Sequence, residues 1–189
     1  MNDDHSKYYN LESYLFGEVS KRYAKTKTVS TPDFFCIVIW KANRAKSKVA
    51  GRLLAKKPYK DLESAIGALV KEVSEETDMK GQLSILINGW GFRLPMASAI
   101  LTVLFPDKFT IYDFRVCEVL NDFQRAEHLT FEPLWKQYSG YIKQVSKIGQ
   151  GLSLRDKDRW LWGKSFISQL IKDIKNQFGR TADEDDSDE

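Results

Sequence analysis

The stretch LSILINGWGFRLPMASAILTVLFPDKFTIYDFRVCEVL, residues 83–120, decides the fold of this 189-residue chain. It joins a short apolar segment, a Gly-x-Gly turn and a run over residues 96–105 that is apolar on nearly every side. A helix that is apolar all round is buried, so we expect the 96–105 helix at the centre of the molecule. Pro106 ends that helix, and Asp113 begins another one that continues to about residue 123.

Helical spacing of apolar residues continues on both sides of this stretch. It predicts helices over residues 8–25, 33–46, 62–77, 83–87, 96–105, 114–123, 133–148 and 153–178, with a break at 78–81. The alternation of polar and apolar residues that is typical of half-buried strands is absent almost everywhere. We therefore predict an all-α protein, with residues 1–180 forming one helical domain or two subdomains that flank a cleft.

Charge is unevenly placed along the chain. Residues 183–189 hold six acids and no base, which leaves 29 basic against 20 acidic residues elsewhere, a net charge of +9. A basic body with an acidic tail favours a polyanionic partner such as DNA, although a solvated protein surface explains the same charges. Residues 181–189 have too few apolar groups to fold, so we predict an acidic disordered tail.

Cysteine and histidine placement excludes several classes of metal site. Cys36 and Cys117 form no CxxC motif, which excludes a zinc ribbon and a four-cysteine iron–sulfur cluster. His5 and His128 lie far apart in polar surroundings, so we expect no metal and no cofactor. No apolar run reaches the roughly 18 residues of a membrane helix, and no signal peptide pattern is present. We expect a soluble, cytoplasmic, nucleoid-associated monomer without a membrane partner.

The Gly-x-Gly turn and the residues after it suggest a site for a phosphate. Gly89 and Gly91 allow a tight turn, and free amide groups there or at the next helix N-terminus can bind an anion. The guanidinium of Arg93 can add to that contact. An ordinary turn between helices and a solvated arginine explain the same residues.

Three short segments of this stretch resemble the helix-hairpin-helix DNA glycosylase superfamily. They are INGWG at 87–91, ASAIL at 97–101 and IYDFRV at 111–116. In that family a Leu-Pro-Gly-Val-Gly hairpin precedes a helix that begins near an alanine, and an aspartate follows in a Val-Asp-x-x-Val context. Asp113 lies 16 residues after Ala97, which fits the family's spacing. Asn88 replaces the usual proline, and the turn at 92–95 is about two residues longer than the family's.

The resemblance implies a multi-helix glycosylase fold with a helix-hairpin-helix motif, and excision of a damaged or modified base from DNA. Asp113 would be the catalytic carboxylate, which stabilises positive charge on the sugar and orients the attacking water. Gln82 stands where bifunctional members place a lysine, so a monofunctional enzyme without lyase activity is implied. The expected DNA contacts are Gly89, Gly91, Arg93, Lys41, Arg44 and Arg115. The expected base pocket is formed by Trp40, Trp90 and Tyr112.

Other interpretations of these residues remain open from the sequence. Asp113 can act only as the N-cap of its helix, and Arg115 can bind a phosphate or pair with Asp113. The basic residues after Trp40 can be one exposed helix face. We expect Trp160 and Trp162 in the core or at its rim rather than stacked on bases. A non-catalytic helix-hairpin-helix DNA-binding protein and a helical adaptor are the alternative functions. The sequence does not identify the base, or whether host or foreign DNA is the target.

Overall fold

A computed structural model describes residues 4–56 and 58–179. Every regular element within these ranges is helical, which confirms the all-α class. The predicted disordered tail at 181–189 lies outside the described residues. The α-helices in the described chain are α1 Leu11–Tyr14, α2 Ser20–Thr26, α3 Thr31–Ala42, α4 Lys46–Ala55, α5 Leu62–Glu75, α6 Met79–Ser84, α7 Leu94–Leu104, α8 Phe114–Leu120, α9 Phe131–Ser146 and α10 Leu154–Lys175.

Short helical turns of other types link some of these helices. Two π-helical turns, Leu15–Val19 and Ile85–Gly89, join α1 to α2 and extend α6. Short 3₁₀ turns lie at His5–Tyr8, Asn43–Ala45, Ala126–His128 and Gln177–Gly179. The helix predicted over residues 8–25 is therefore α1, a π-helical turn and α2 in sequence.

Helix starts follow the capping residues that the sequence shows. The side chains of Ser30, Asp61, Asp113 and Ser153 each accept a hydrogen bond from a backbone amide in the first turn that follows. A polar side chain there satisfies an amide that has no partner inside the helix. Local chemistry thus sets where α3, α5, α8 and α10 begin.

Two expectations about helix positions are wrong. The predicted helix over 33–46 ends at Ala42, and the separate helix α4 follows a 3₁₀ turn. Only Val49 and Leu53 of α4 are buried, so its apolar signal is weak. The predicted break at 78–81 is instead the start of α6, because the Asp78 side chain accepts a hydrogen bond from the Gly81 amide.

The helix α7 lies at the centre of the core, as its composition predicts. Every residue of α7 except Pro95 is buried, and α2, α3 and α6 pack around it. Its two buried hydroxyls are satisfied: Thr102 donates to the Ser98 carbonyl at 2.7 Å, and Ser98 donates to the Pro95 carbonyl at 3.1 Å. Burying a hydroxyl that has a hydrogen-bond partner costs little free energy, so these two groups do not destabilise the packing around α7.

The expectation that Trp160 and Trp162 belong to the core is wrong. The helix α10 buries only Asp158, Leu161 and Ser165. Both indole rings are turned outward, with exposed fractions of 51% and 42%. Helical spacing places Trp160 and Trp162 on either side of Leu161, and the packing of α10 on α8 leaves both of those positions at the surface.

Candidate functional site

The extended segment that leads to Asp113 is held by buried hydroxyl groups. Ser98 on α7 accepts a hydrogen bond from the Tyr112 amide at 2.9 Å. Tyr138 and Tyr141 on α9 donate to the carbonyls of Thr110 and Ile111, each at 2.7 Å. These bonds satisfy backbone groups that no helix or sheet satisfies, so the segment is rigidly placed. Asp113 is therefore positioned by α7 and α9 together.

The two carboxylate oxygens of Asp113 have different partners. Oδ1 accepts a hydrogen bond from the Arg115 amide at 3.1 Å, which makes Asp113 the N-cap of α8. Oδ2 accepts a hydrogen bond from Lys41 Nζ on α3 at 2.8 Å. The side chains of Asp113 and Lys41 are 20% and 15% exposed. Partial shielding from water strengthens this ion pair relative to one on an open surface.

The Asp113–Lys41 pair lines a cleft of about 460 Å³. Helices α3, α8 and α10 supply most of its walls, and the extended segment before α8 and one residue of α1 supply the rest. The cleft is lined by Glu12, Trp40, Lys41, Ile111, Asp113, Phe114, Arg115, Arg155, Asp158, Arg159 and Trp162. Four cationic and three acidic side chains are present among them, so the lining has a small positive excess. This volume is in the range of small-molecule and nucleotide sites.

Arg155 organises the wall that α10 contributes. It donates to Glu12 at 2.6 Å and to the buried Asp158, and its guanidinium lies 5.2 Å from the ring centre of Trp40. Burial raises the pKa of Asp158 to about 6, against the lowering effect of Arg155. Burial also opposes the charge of Glu12, but Arg155 and Arg159 hold the pKa of Glu12 below its usual range.

Trp40 forms an aromatic wall of the cleft beside Lys41. Its ring packs edge-on against Phe16 of the π-helical turn Leu15–Val19, with ring centres 5.6 Å apart. Trp40 and Lys41 both lie at the C-terminal end of α3. The structure thus brings four of the predicted site residues to one cleft: Trp40, Lys41, Asp113 and Arg115. The adjacency of Trp40 and Lys41 was visible in the sequence, but their approach to Asp113 was not.

Other predicted site residues lie elsewhere. Trp90 is buried, stacks on Tyr59 at 5.6 Å between ring centres, and donates from Nε1 to Glu72 at 2.8 Å. Tyr112 is buried and donates its hydroxyl to the Phe123 carbonyl at 2.7 Å. Arg44 is exposed in the 3₁₀ turn after α3. None of these three side chains lines the cleft.

The glycine-rich turn uses its own amides to end the preceding helix. The amides of Trp90, Gly91 and Phe92 donate to the carbonyls of residues 85, 87 and 86 at 2.9 to 3.0 Å. Gly91 has a φ of +72°, a left-handed conformation that glycine adopts without strain. Gly89 lies inside the π-helical turn. An anion near this turn would therefore meet side chains more readily than the amides of residues 90–92.

Basic side chains surround the turn, and sequence reasoning identified only one of them. Arg93 is exposed. Lys56 Nζ donates to the Gly89 carbonyl, and the Arg52 side chain approaches within 3.7 Å of the position that a Cβ would take at Gly91. Arg52 and Lys56 belong to α4 and its C-terminal end, and the sequence analysis did not predict α4. The signal for α4 in the sequence is the spacing of Val49 and Leu53, which are four residues apart and so lie on one helix face.

The remaining residues missed in sequence are Glu12, Arg155, Asp158 and Arg159. Arg155 and Asp158 are three residues apart on α10, a spacing that permits a pair on one helix face. Glu12 lies 143 residues earlier than Arg155, so no local pattern connects them.

Gln82 is buried outside the cleft. Its side-chain amide donates to the Glu76 carbonyl at 2.8 Å and to the Val73 carbonyl at 3.3 Å. Both carbonyls lie at the C-terminal end of α5, so Gln82 connects α5 to α6. Its present role is structural, because carbonyls left unpaired at a buried helix end are costly.

Comparisons with protein-family models, with curated proteins and with solved structures gave no match. Among residues 4–56 and 58–179, no group of three or more histidine, cysteine, aspartate or glutamate side chains is arranged to hold a metal ion. The same part of the chain has no helix long and apolar enough to cross a membrane.

Proposed function

We propose that this protein is a DNA glycosylase that hydrolyses the N-glycosidic bond of a damaged or modified base, with Asp113 as the catalytic carboxylate. The observation that supports it most is the position of Asp113, which lines a nucleotide-sized cleft beside Lys41 and an aromatic wall. The resemblance of residues 83–120 to helix-hairpin-helix glycosylases adds to this. We propose that the protein binds DNA and acts on it as a monomer.

The proposed chemistry follows from where charge develops during bond cleavage. Breaking an N-glycosidic bond builds positive charge on the sugar, and a fixed carboxylate lowers the energy of that state. Asp113 uses one acceptor position on each oxygen, for Lys41 and for the Arg115 amide. Each carboxylate oxygen can accept about two hydrogen bonds, so positions remain for a sugar or a water molecule. Lys41 then fixes the orientation of the carboxylate.

Trp40 is the proposed stacking surface for the extruded base. Enzymes that act on a nucleobase move it out of the duplex into a pocket where aromatic groups hold it. Trp40 is the member of the predicted aromatic set that lines the cleft, whereas Trp90 and Tyr112 support the fold from the core. The Arg155 guanidinium on the Trp40 ring keeps that wall in place.

Water is the proposed nucleophile, in a monofunctional reaction. The family's lysine position is Gln82, which is buried outside the cleft. The cleft does contain one amine, Lys41, but its Nζ donates a hydrogen bond to Asp113 Oδ2 at 2.8 Å, so its structural role is to hold the carboxylate. We therefore expect an abasic site as the product, with strand cleavage only after heat or alkali.

The decisive experiment uses duplexes that each carry one altered base, incubated with protein and then treated with alkali. We expect the wild type to produce a strand break on at least one duplex and Asp113→Asn to lose at least 100-fold in rate. Asparagine is also a good N-cap, so this change removes the charge and keeps the start of α8. Asp107→Asn, an exposed change in the same stretch, is the matched control and should retain full activity.

Two results would contradict parts of this proposal. Equal cleavage by wild type and Asp113→Asn would remove Asp113 from the chemistry. A strand break without alkali, together with borohydride-dependent cross-linking of DNA to Lys41 and not to Lys41→Arg protein, would replace water by the lysine amine. The second result would keep the glycosylase function and reject its monofunctional character.

A non-catalytic DNA-binding protein is the second candidate function. The observation that favours it is that Asp113 has a structural partner on each oxygen, which explains an aspartate there without catalysis. The exposed basic groups near the Gly91 turn would then carry the activity. This candidate predicts salt-dependent DNA binding, no abasic product on any duplex, and binding that is unchanged in Asp113→Asn.

A further inference from the structure

Three exposed aromatic side chains and one half-buried arginine form a surface at the edge of the cleft, where the first turn of α8 packs against the middle of α10. We call it the aromatic edge, and it consists of Phe114, Arg115, Trp162 and Phe166. The exposed fractions of the three aromatic residues are 61%, 42% and 43%. Phe114, Arg115 and Trp162 also line the cleft that contains Asp113. The aromatic edge and the candidate catalytic carboxylate are therefore parts of one continuous surface.

The aromatic edge is ordered around the guanidinium of Arg115. The rings of Trp162 and Phe166 are stacked, with centres 5.4 Å apart and planes inclined by 8°. The guanidinium carbon of Arg115 lies 5.3 Å from the ring centre of Phe114, 5.5 Å from that of Trp162 and 5.7 Å from that of Phe166. Cation–π attraction to three rings holds the arginine without a carboxylate.

The guanidinium of Arg115 is available to bind an anionic ligand. Within residues 4–56 and 58–179 no acidic side chain forms an ion pair with it, whereas its cleft neighbours Lys41, Arg155 and Arg159 all have one. A guanidinium lying on aromatic faces keeps in-plane N–H groups for a phosphate. The edge thus presents apolar ring faces and a cation with unsatisfied donors at the same place.

This combination suits a nucleotide better than an apolar partner. Contiguous exposed aromatic rings are uncommon on proteins and mark interaction sites. An apolar protein surface would have to cover the Arg115 charge, at a cost in desolvation. An unpaired nucleobase stacks on the rings while its phosphate meets the guanidinium, and that pairing is typical of single-strand binding sites.

We infer that the aromatic edge binds an unpaired nucleotide, with its base stacked on the exposed rings and its phosphate on Arg115. The inference rests on the proposed function, since it takes this nucleotide to be a neighbour of the one in the cleft. Asp113 and Phe114 are consecutive in sequence, so one DNA strand can reach both places. The protein would then separate a base beside its target from its partner, and it would bind unpaired DNA more tightly than paired DNA.

The test exploits two tryptophans on the same helix. Trp162 belongs to the aromatic edge, whereas Trp160 is 51% exposed, is absent from the cleft lining and has Lys164 over its ring. We would measure fluorescence anisotropy with a labelled 20-nucleotide single strand, with a duplex that contains a two-nucleotide bulge, and with a fully paired duplex. Trp162→Ala should weaken binding to the first two probes about tenfold. Trp160→Ala should change them less than twofold.

Conservative variants separate stacking from charge and from folding. Trp162→Phe keeps an aromatic ring, so DNA should still bind, but the quenching of tryptophan fluorescence by the single strand should lose the part that Trp162 contributes and keep the part that Trp40 contributes. Trp160→Phe should retain that quenching. Arg115→Gln should lower the slope of log affinity against log salt by about one, whereas Phe166→Leu should weaken binding without changing the slope. A surface that only supports the fold would produce none of these differences.

Defined results would overturn the inference. Equal quenching in Trp160→Phe and Trp162→Phe proteins, or equal affinity of the two alanine variants for the bulged duplex, would exclude the aromatic edge as a nucleotide site. A change of sedimentation mass in Trp162→Ala protein without DNA would assign the edge to protein association. Base excision that depends on Asp113 with unaffected Trp162→Ala binding would leave the proposed function standing alone. No excision on any duplex, together with weaker binding of single strands by Trp162→Ala protein, would reject the glycosylase function and keep the aromatic edge as a nucleotide site.

Discussion

At the scale of single residues, one carboxylate makes two separate contacts, one with each of its oxygens. Asp113 caps α8 through one oxygen and contacts Lys41 through the other. From the sequence, capping and the proposed catalytic role do not exclude each other, and the structure is compatible with both because the cap occupies only one oxygen.

Asp158 is a buried acid of the cleft, and its burial opposes its ionisation. It is 2% exposed, and burial raises its pKa from a usual 3.8 to about 6 although Arg155 contacts it. The folded protein therefore holds this proton more tightly than the unfolded chain does. The contribution of this group to stability is complete below about pH 4 and is lost as the pH rises through about 6.

We predict that Asp158→Asn flattens this pH dependence. Between pH 4 and pH 7 the free energy of unfolding of the wild type should fall by roughly 2 kcal/mol relative to that of the variant, because asparagine carries no titrating proton. Urea unfolding at four pH values measures the difference. Asp156→Asn, a change of its exposed neighbour, should preserve the fall, and parallel curves for wild type and Asp158→Asn would contradict the prediction.

At the scale of elements, the start of α3 is fixed by a polar cluster around Asp33. This buried carboxylate accepts hydrogen bonds from Tyr14 at 2.7 Å, from Ser30 at 2.5 Å and from Arg22. Burial opposes its charge, but the Ser30 and Tyr14 hydroxyls and Arg22 hold the pKa of Asp33 below its usual range. The cluster ties α1 and α2 to the helix that carries Trp40 and Lys41.

Replacing this carboxylate should loosen α3 as a unit. We predict that Asp33→Asn lowers the free energy of unfolding by about 2 kcal/mol. The asparagine side chain has an NH2 donor in place of one acceptor oxygen, and its loss of charge leaves Arg22 without an ion-pair partner. The figure is below that of a fully buried pair because the Arg22 side chain is 43% exposed. Asp61→Asn, at the exposed cap of α5, should change stability little. Equal stabilities of both variants in urea would rule out the proposed role of the cluster.

At the scale of the whole molecule, the cleft exists only because elements distant in sequence meet. Glu12 comes from α1, Lys41 from α3, Asp113 from the start of α8 and Arg155 from α10. A second basic region, formed by Arg52, Lys56 and Arg93, surrounds the turn before α7. Phosphate contacts position a protein on DNA without reading its sequence, and this region suits that task.

We predict that Arg52→Ala, Lys56→Ala and Arg93→Ala, combined in one protein, reduce the salt dependence of binding to undamaged duplex. Each lost phosphate contact should lower the slope of log affinity against log salt by about 0.9, so the slope should fall by about two to three. Anisotropy titrations from 50 to 200 mM salt measure it. Lys136→Ala with Lys143→Ala, exposed changes on α9, is the control. An unchanged slope in the triple variant would place the DNA elsewhere.

Much of the architecture was predictable from the sequence, because helix formation depends on neighbours a few residues away. Apolar periodicity located α5 and α7, and capping side chains marked the starts of α8 and α10. Periodicity failed for α4, where only Val49 and Leu53 are buried and a run of basic residues hides the pattern. It also placed Trp160 and Trp162 inside, since local spacing does not reveal which side of a helix finds a partner.

By itself, then, the sequence determined the all-helical class and the buried position of α7, and its resemblance to a known family indicated Asp113 as the candidate catalytic residue. Only the tertiary structure decided that Lys41 reaches Asp113, that Arg155 joins Glu12 to Asp158, and that Trp90 and Tyr112 belong to the core. The physical reason is range. Hydrogen bonds within a helix connect residues four positions apart, whereas the hydrogen bonds that join different elements of the cleft cross 72 to 147 positions and depend on how all the helices pack at once.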